Sequence, residues 1–161
     1  MDRTDQIPVF PNVFPYNELL MTGQLLAKTR SWVFKYRGPI LLYTSGRNES
    51  IICESYGLDP QLFPHSMVVG RANLVDVRPI TMAERKIITR QFNPGATKRQ
   101  ISDYLKYGLL DFEMIGALDI GFFFEDIERL PQPVKIKWPR GAVTLCYLPI
   151  SEAEPLLARN T

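Results

Sequence analysis

The chain has 161 residues, of which 45% are apolar and 22% charged, and its formal net charge is +2. These values are typical of one globular domain and exclude a disordered chain, so we expect residues 1–161 to form a single domain with its core over about 14–148. Because the net charge is small, any attraction to nucleic acid must come from local basic patches.

The N-terminus and the cysteines predict a cytoplasmic protein. The segment MDRTDQIP lacks the basic and apolar regions of a secretory signal, and no apolar run is long enough to span a bilayer, so no membrane partner is expected. Cys53 and Cys146 are isolated in apolar stretches, which is typical of buried, reduced thiols. The sequence indicates no oligomeric state.

The first half of the chain alternates short helices with apolar strands. Gly23 and Gly57 follow helical segments and can adopt the left-handed conformation that ends a helix. Gly70 lies inside a valine-rich segment and indicates a bulge or a close backbone approach. The predicted elements are a helix over 16–22, a strand over 40–43, a helix over 48–56 and a strand over 67–77.

Two capping boxes predict the helices of the second half. Thr81 with Glu84, and Thr97 with Gln100, have the spacing at which a threonine oxygen accepts a backbone amide and the later side chain returns the bond. The first of these helices should end before the Asn-Pro-Gly at 93–95, and the second at the glycine at 108.

The remaining segments predict further strands and complete an α+β fold. Residues 114–125 predict a central strand and residues 142–148 a closing strand, while prolines at 131, 133 and 139 exclude a central strand between them. Ser151 is placed to cap a short final helix. Strands with few helices between them and no βαβ alternation predict a small β-barrel decorated with several short helices.

The segment 23–45, GQLLAKTRSWVFKYRGPILLYTS, combines cations with aromatic rings and contains no acid. Such a combination suits a site that holds a phosphate or carboxylate and stacks a base. Because a hydrolytic site would usually require an acid, the segment favours binding over chemistry. The residues concerned are Lys28, Arg30, Trp32, Phe34, Lys35, Tyr36 and Arg37.

Charge is unevenly distributed in the second half of the chain. Residues 85–106 contain six cations against one acid, Asp103, whereas residues 111–128 contain six acids and no cation. The basic helices, with Tyr104 and Tyr107 as neighbours on one face, either widen a nucleic-acid surface or are ordinary solvated faces. The acids are more typical of a solvated face than of a general acid/base pair.

One set of residues in the segment 23–45 occurs in a characteristic order. It comprises Gly23, Arg30, Ser31, Trp32, Tyr36, Arg37, Gly38, Pro39, Ile40, Leu41 and Leu42, with agreeing pieces at 69–77 and 130–141. This order resembles the core signature of ASCH domains, which belong to the PUA-like superfamily. The resemblance implies a PUA-like β-barrel whose cleft binds RNA or modified nucleotides. Some such relatives are amidohydrolases of acylated cytidine, and a ribonuclease activity has been proposed for others.

The chain departs from the motif Gly-x-Lys-x-x-Glu-x-Arg that is usual in this family. Gly23 and Arg30 match, but Leu25 stands at the lysine position and Lys28 at the glutamate position. Amidohydrolase relatives use that lysine together with a threonine at the later position. A leucine cannot act as nucleophile, base or oxyanion donor, and Lys28 inverts the local charge, so inherited hydrolysis is not expected.

Other chemistries have weaker support. His65 has no cysteine or histidine at ligand spacing, so neither a metal site nor a cofactor is predicted. A serine triad would pair Ser45 with His65, and nothing in the sequence supports that pairing. Asp76 and Glu84 are the candidates for the carboxylate that a hydrolase of this family would need.

The sequence therefore predicts a non-catalytic module that binds RNA or a nucleotide-like anion. Lys28, Arg30 and Arg37 are the predicted anion contacts, and Trp32 or Tyr36 the stacking surface. Each also has a structural interpretation: a solvated lysine, ion pairs for the arginines, and a core position for Trp32. The alternatives are an amidohydrolase or ribonuclease that uses other residues in the same cleft, and a protein–protein adaptor.

Overall fold

The computed structural model describes residues 5–107, 119–140 and 144–158, and the side chains of 103–107 lie outside that description. Strands and helices alternate irregularly along the chain. They are β1 (Gln6–Phe14), α1 (Tyr16–Met21), β2 (Lys28–Arg30), β3 (Gly38–Asn48), α2 (Ser50–Tyr56), β4 (Met67–Pro79), α3 (Met82–Phe92), α4 (Lys98–Tyr107), β5 (Ile120–Lys135), β6 (Cys146–Pro149) and α5 (Ile150–Leu157), with a 3-10 turn at Pro60–Leu62.

The strands form a curled, mixed sheet in the order β2-β5-β4-β3-β1-β6. β1 and β3 run parallel, and the other neighbouring strands are antiparallel. Since β2 and β6 lie at opposite ends of this order, the described strands make a half-barrel. The α+β class with several short helices is confirmed, and the strands predicted at 40–43 and 67–77 lie within β3 and β4.

β1 has no counterpart among the predicted elements, because its sequence, QIPVFPNVF, contains two prolines. Residues 6–8 pair only with β6 and residues 10–14 only with β3, while Val9 pairs with both. Pro8 and Pro11 therefore each lie where β1 has a single strand neighbour. A proline at such a position removes no second ladder of hydrogen bonds.

β5 also contains prolines, and it corrects the sequence interpretation. The strand runs on from Ile120 through Pro131 and Pro133 to Lys135. β2 covers only residues 120–122 of β5, so the rest of β5 is a sheet edge in the described structure, where prolines are tolerated. The prolines exclude a central strand, as expected, but not an edge strand. Residues 114–118 and 142–143 of the predicted strands lie outside the described residues.

Gly70 marks a close approach between β4 and its neighbours, as the sequence indicates. A Cβ at this position would lie 2.8 Å from the sulfur of Met21 and 3.0 Å from the carbonyl oxygen of Glu128. The register of β4 against β5 also shifts between Val68 and Gly70. The absence of a side chain is therefore what lets α1 and β5 pack on β4 here.

The sheet has a hydrophobic core on each side, and alternate residues of β3 divide between the two. Leu41 and Tyr43 pack with Ala153 of α5 on one side. Ile40 and Leu42 pack with the aromatic rings of β1 and β5 on the other. A third apolar group joins α1, α2 and α3. Lys28 and Arg30 of β2 lie on this second side of the sheet, next to its aromatic rings and the adjoining helices.

The helix ends agree with the glycine signals. α1 is followed by Gly23 at φ +75° and α2 by Gly57 at φ +65°, the left-handed region that glycine adopts readily. α5 differs from expectation: it begins at Ile150 after Pro149 with no side-chain cap, and Ser151 lies inside the helix. Within the described ranges, no helix combines the length and apolar character needed to cross a membrane.

Both capping boxes are present. Thr81 and Glu84 make both bonds at the start of α3, and Thr97 and Gln100 exchange the same pair before α4. Arg78 strengthens the first box, because it donates to the two oxygens of Glu84 at 2.7 and 2.8 Å. The pKa of Glu84 falls from its usual 4.5 to about 2, first through Arg78 and then through the bonds with Thr81.

Acid should therefore weaken the start of α3. A carboxylate with a lowered pKa stabilises the fold fully above its unfolded pKa and loses that contribution as the pH falls toward the folded value. We expect the difference in unfolding free energy between wild type and Glu84→Gln to be constant above about pH 5 and to shrink between about pH 4.5 and 2. Urea denaturation across this interval measures it, with Glu152→Gln on the exposed face of α5 as control. A pH-independent difference would contradict the expectation.

Candidate functional site

β2 places two basic side chains on one face, toward β1 and α1. Lys28 and Arg30 are two residues apart in a strand, so their side chains share a face. Lys28 is 0% exposed, and its Nζ lies 4.3 Å from the centroid of the Tyr16 ring. An aromatic face attracts a cation most strongly where water is excluded. The domain therefore holds the Lys28 amine inside the junction of β2 and α1.

Arg30 is half-buried and is held by β1. Its Nη2 donates to the carbonyl oxygen of Pro11 at 2.8 Å and to Oδ1 of Asn12 at 2.7 Å. The guanidinium also lies over the Phe10 ring, 4.8 Å from its centroid. These contacts fix the orientation of a planar group whose donors suit phosphate and carboxylate oxygens. Hydrogen bonds therefore tie Arg30 to β1. A contact between Arg30 and a ligand stays a prediction.

A chain of buried polar side chains continues inward from Arg30. Asn12 Nδ2 donates to Asn17 Oδ1 at 2.7 Å, and Asn17 Nδ2 donates to Thr44 Oγ1 at 3.1 Å. All three residues are at most 3% exposed. Buried polar groups cost free energy unless they are hydrogen-bonded, and here each has a partner. The chain links β2, β1, α1 and β3, and it holds Asn12 where it accepts from Arg30.

The residues after β2, 31–37, are here called the strap, and their exposure alternates. The half-buried members are the rings Trp32, Phe34 and Tyr36, and the exposed members are Ser31, Val33, Lys35 and Arg37. Trp32 packs edge-on against Phe122, with ring centroids 5.0 Å apart. Phe34 stacks on Tyr36 at 5.7 Å. The rings and cations that adjoin in the sequence of the strap therefore occupy different environments, inside and outside.

Tyr36 and Arg37 use their polar atoms within the protein. The Tyr36 hydroxyl donates to the carbonyl oxygen of Pro39 at 2.5 Å, and burial raises the pKa of Tyr36. Arg37 donates to the carbonyl oxygen of Phe34 at 2.7 Å, and its Nη2 lies 3.8 Å from Asp76 Oδ1. The side chains of that ion pair are 39% and 46% exposed, so it contributes only about 0–1 kcal/mol. Arg37 remains accessible to solvent.

The carboxylates considered for a hydrolase both bind an arginine. Arg78 donates to Asp76 at 2.9 Å and to both oxygens of Glu84, and its guanidinium lies 4.3 Å from the centroid of the Phe123 ring. Leu25, at the position of the family's lysine, is 4% exposed and packs in the core. The two acids therefore stabilise the junction of β4 and α3, and the lysine position is apolar.

The cysteines and the histidine have structural environments. Cys53 and Cys146 are buried free thiols, as expected, and burial raises the pKa of Cys146 to about 11. The ring nitrogens of His65 lie 3.1 Å from the carbonyl oxygen of Ser45 and 2.9 Å from that of Pro60. Across the described ranges, no group of three or more His, Cys, Asp or Glu residues is arranged to hold a metal ion.

The predicted site residues are partly brought together. Lys28 and Arg30 share one face of β2, whereas Trp32, Tyr36 and Arg37 follow along the strap. The sequence alone did not indicate Asn12 and Phe10, the β1 side chains that hold Arg30, because β1 itself was not predicted. Their positions become meaningful only once β1 is placed inside the sheet.

The described strands form a curled α+β half-barrel with short helices around it. Several solved structures match this chain over nearly its whole length, among them two from Zymomonas mobilis. The crystal structure of ASCH from Zymomonas mobilis has a TM-score of 0.54 at 14% identity, covering 96% of this chain and 94% of that chain. A serine-to-alanine mutant of the Zymomonas mobilis protein has a TM-score of 0.52 at 13% identity, covering 97% and 96%.

The chain thus has the ASCH fold that its sequence signature implies. At these identities the likeness shows the fold alone. No family model matches the sequence, and no curated protein matches it. The function must therefore be argued from the contacts of this chain's own residues.

Proposed function

We propose that this protein binds RNA or a nucleotide-like anion beside β2. The supporting observation is the placement of Lys28 and Arg30 on one face of β2, with hydrogen-bonded polar side chains behind Arg30. A guanidinium whose orientation is already fixed loses little side-chain entropy when it binds an anion. Lys28 is fully buried, so it acts through its charge, whose field is strong where water is excluded.

The strap would extend this site along the chain. Arg37 is 39% exposed and would contact a neighbouring phosphate. Trp32 and Tyr36 are half-buried, and the ring surface that remains exposed would stack an unpaired base. Catalysis is not part of the proposal, because Leu25 and Lys28 stand where the family's motif has its lysine and glutamate.

Binding should weaken when the β2 cations are neutralised. The variant Lys28→Met with Arg30→Gln removes both charges while keeping an unbranched side chain of similar length at 28 and a shorter, uncharged hydrogen-bond donor at 30. We expect its affinity for a single-stranded RNA of about twelve nucleotides to fall about tenfold or more at low salt. Fluorescence anisotropy measures the affinity, and wild-type binding should weaken steeply between about 50 and 200 mM salt.

The matched control makes the same two substitutions elsewhere, Lys135→Met with Arg47→Gln, at exposed positions on β5 and β3. Thermal unfolding confirms that both double variants are folded. If the affinity for RNA changes neither with salt nor with the β2 substitutions, the proposal is contradicted and a protein–protein adaptor is favoured. Turnover of an N-acylated nucleoside that is lost in the β2 variant would favour the hydrolase alternative.

A further inference from the structure

The outward face of α3 and the start of α4 form a basic surface, here called the basic face. Its exposed cations are Lys86, Arg90, Lys98 and Arg99. Between residues 82 and 102 the sequence contains a single acid, Glu84. Both oxygens of that carboxylate accept hydrogen bonds from Arg78, and Oε1 also accepts the Thr81 amide. Glu84, the acid of α3, therefore does not neutralise the exposed cations.

Two cations of the basic face are neighbours along α3, and the other two follow after a short turn. Lys86 and Arg90 are four residues apart, one helical turn or about 6 Å along α3. A short turn over 93–97 then leads into α4, in which Thr97 and Gln100 cap the helix immediately beside Lys98. The charge thus continues from one helix to the next.

The basic face begins next to β2. The side chain of Gln91, at the end of α3, accepts the backbone amide of Leu26 at 2.8 Å. Leu26 lies two residues before Lys28, the first residue of β2. At its other end α3 is joined to β4 through Arg78 and Glu84. α3 therefore connects directly to the turn that leads into the candidate site.

We propose that the basic face binds the sugar-phosphate backbone of a single-stranded RNA whose neighbouring nucleotides lie at β2. The inference rests on the proposed function and makes it more specific: the ligand is a polymer of several nucleotides and not a free nucleotide. A row of exposed cations complements a row of phosphates. The site at β2 alone would accept a single anion equally well.

A lipid surface fits the basic face less well. The apolar stripe of α3, which includes Ile88 and Phe92, is already buried in the domain at 0% exposure. On the outward face of α3 the large apolar side chains that are exposed are Met82 and Ile87, at 60% and 42%. A helix that lies in a membrane interface instead presents a continuous apolar stripe outward.

The test compares a single-stranded oligouridylate of about twelve nucleotides with uridine monophosphate. In Lys86→Gln with Arg90→Gln we expect weaker binding of the oligonucleotide, and the slope of log K against log salt should become shallower by about 1.4, or 0.7 for each lost phosphate contact. Affinity for the mononucleotide should not change. Lys135→Gln with Arg47→Gln removes the same charge elsewhere and should leave both affinities and the slope as in wild type.

The outcomes separate this inference from the proposed function. If Arg30→Gln weakens oligonucleotide binding while the α3 pair behaves like its control, the basic face is refuted and the site at β2 stands. If the α3 pair weakens binding and Arg30→Gln does not, the proposal for β2 is refuted. If the protein binds the mononucleotide but not the oligonucleotide, only the inference about the basic face is refuted. If it binds neither, or binds phosphatidylserine vesicles in their place, both are refuted.

Discussion

Replacing Phe122 by alanine should destabilise the fold by about 3–5 kcal/mol. Phe122 is 0% exposed, and its ring stacks on Phe10 at 5.1 Å and meets Trp32 edge-on at 5.0 Å. Its backbone lies opposite Lys28 of β2 and Val77 of β4. Truncation would leave a cavity beneath β2 and the strap, because rings on two neighbouring segments lose a contact.

Urea denaturation measures this loss, and thermal unfolding should show a decrease of about 2–4 °C for each kcal/mol in a chain of this length. Phe63→Ala makes the same substitution at a half-buried ring outside the sheet and should cost much less. Phe122→Leu fills most of the volume and should cost less than about 1.5 kcal/mol. A loss for Phe122→Ala no larger than that of Phe63→Ala would contradict the packing described.

Arg71→Ala should lower the free energy of unfolding by about 2–3 kcal/mol. The Arg71 side chain is 10% exposed and donates to Glu128 Oε2 at 2.6 and 3.1 Å. It also donates to the carbonyl oxygen of Leu156 at 3.1 Å and to that of Ala158. These carbonyls terminate α5, so the loss would leave polar groups without a donor and detach the end of that helix from the sheet.

Arg129→Ala is the matched control for this effect. Arg129 makes a two-pronged pair with Glu18 at 2.6 and 2.7 Å. Its side chain is 48% exposed and that of Glu18 12%, so its removal should cost about 1 kcal/mol, less than that of Arg71. Amide hydrogen exchange distinguishes the two further, because only Arg71→Ala should speed exchange in α5 selectively. Equal losses in the two variants would show that the tie to α5 contributes nothing.

Local signals predicted the helices well. The capping boxes of α3 and α4 and the glycines after α1 and α2 are short-range features, and each acts through backbone atoms only a few residues away. The valine-rich β4 was equally predictable, because its composition suits a strand buried between two neighbours.

The strands at the margins of the sheet could not be predicted in the same way. β2 is three residues long and exists by pairing with residues 120–122 of β5, so nothing in Lys-Thr-Arg alone predicts it. Whether the proline-containing β1 and the second part of β5 can form strands depends on which side of each has a hydrogen-bonded neighbour. That is a property of sheet order, which is set by tertiary contacts far along the chain.

In the candidate site, too, some features follow from the local sequence and others from tertiary contacts. The charge pattern predicts that Lys28 and Arg30 belong to one site, and their shared face follows from strand geometry only once β2 is placed. It does not show which face the rest of the domain covers. The burial of Lys28 against Tyr16 and the hydrogen bonds of Arg30 to β1 depend on elements that pack on β2 from elsewhere in the chain. The charge pattern of the sequence therefore shows where a cation lies along the chain, but not what surrounds it in the fold.

The two-residue period of the strap limits how this part of the protein can change in length. Rings point inward and cations outward along residues 31–37. An insertion or deletion of one residue directly after Arg30 would exchange the two sets, moving the rings into water and Ser31 or Val33 to the place of Trp32 against Phe122. A change of two residues would preserve the arrangement. Loop lengths in distant homologues that keep this packing should therefore differ here in steps of two.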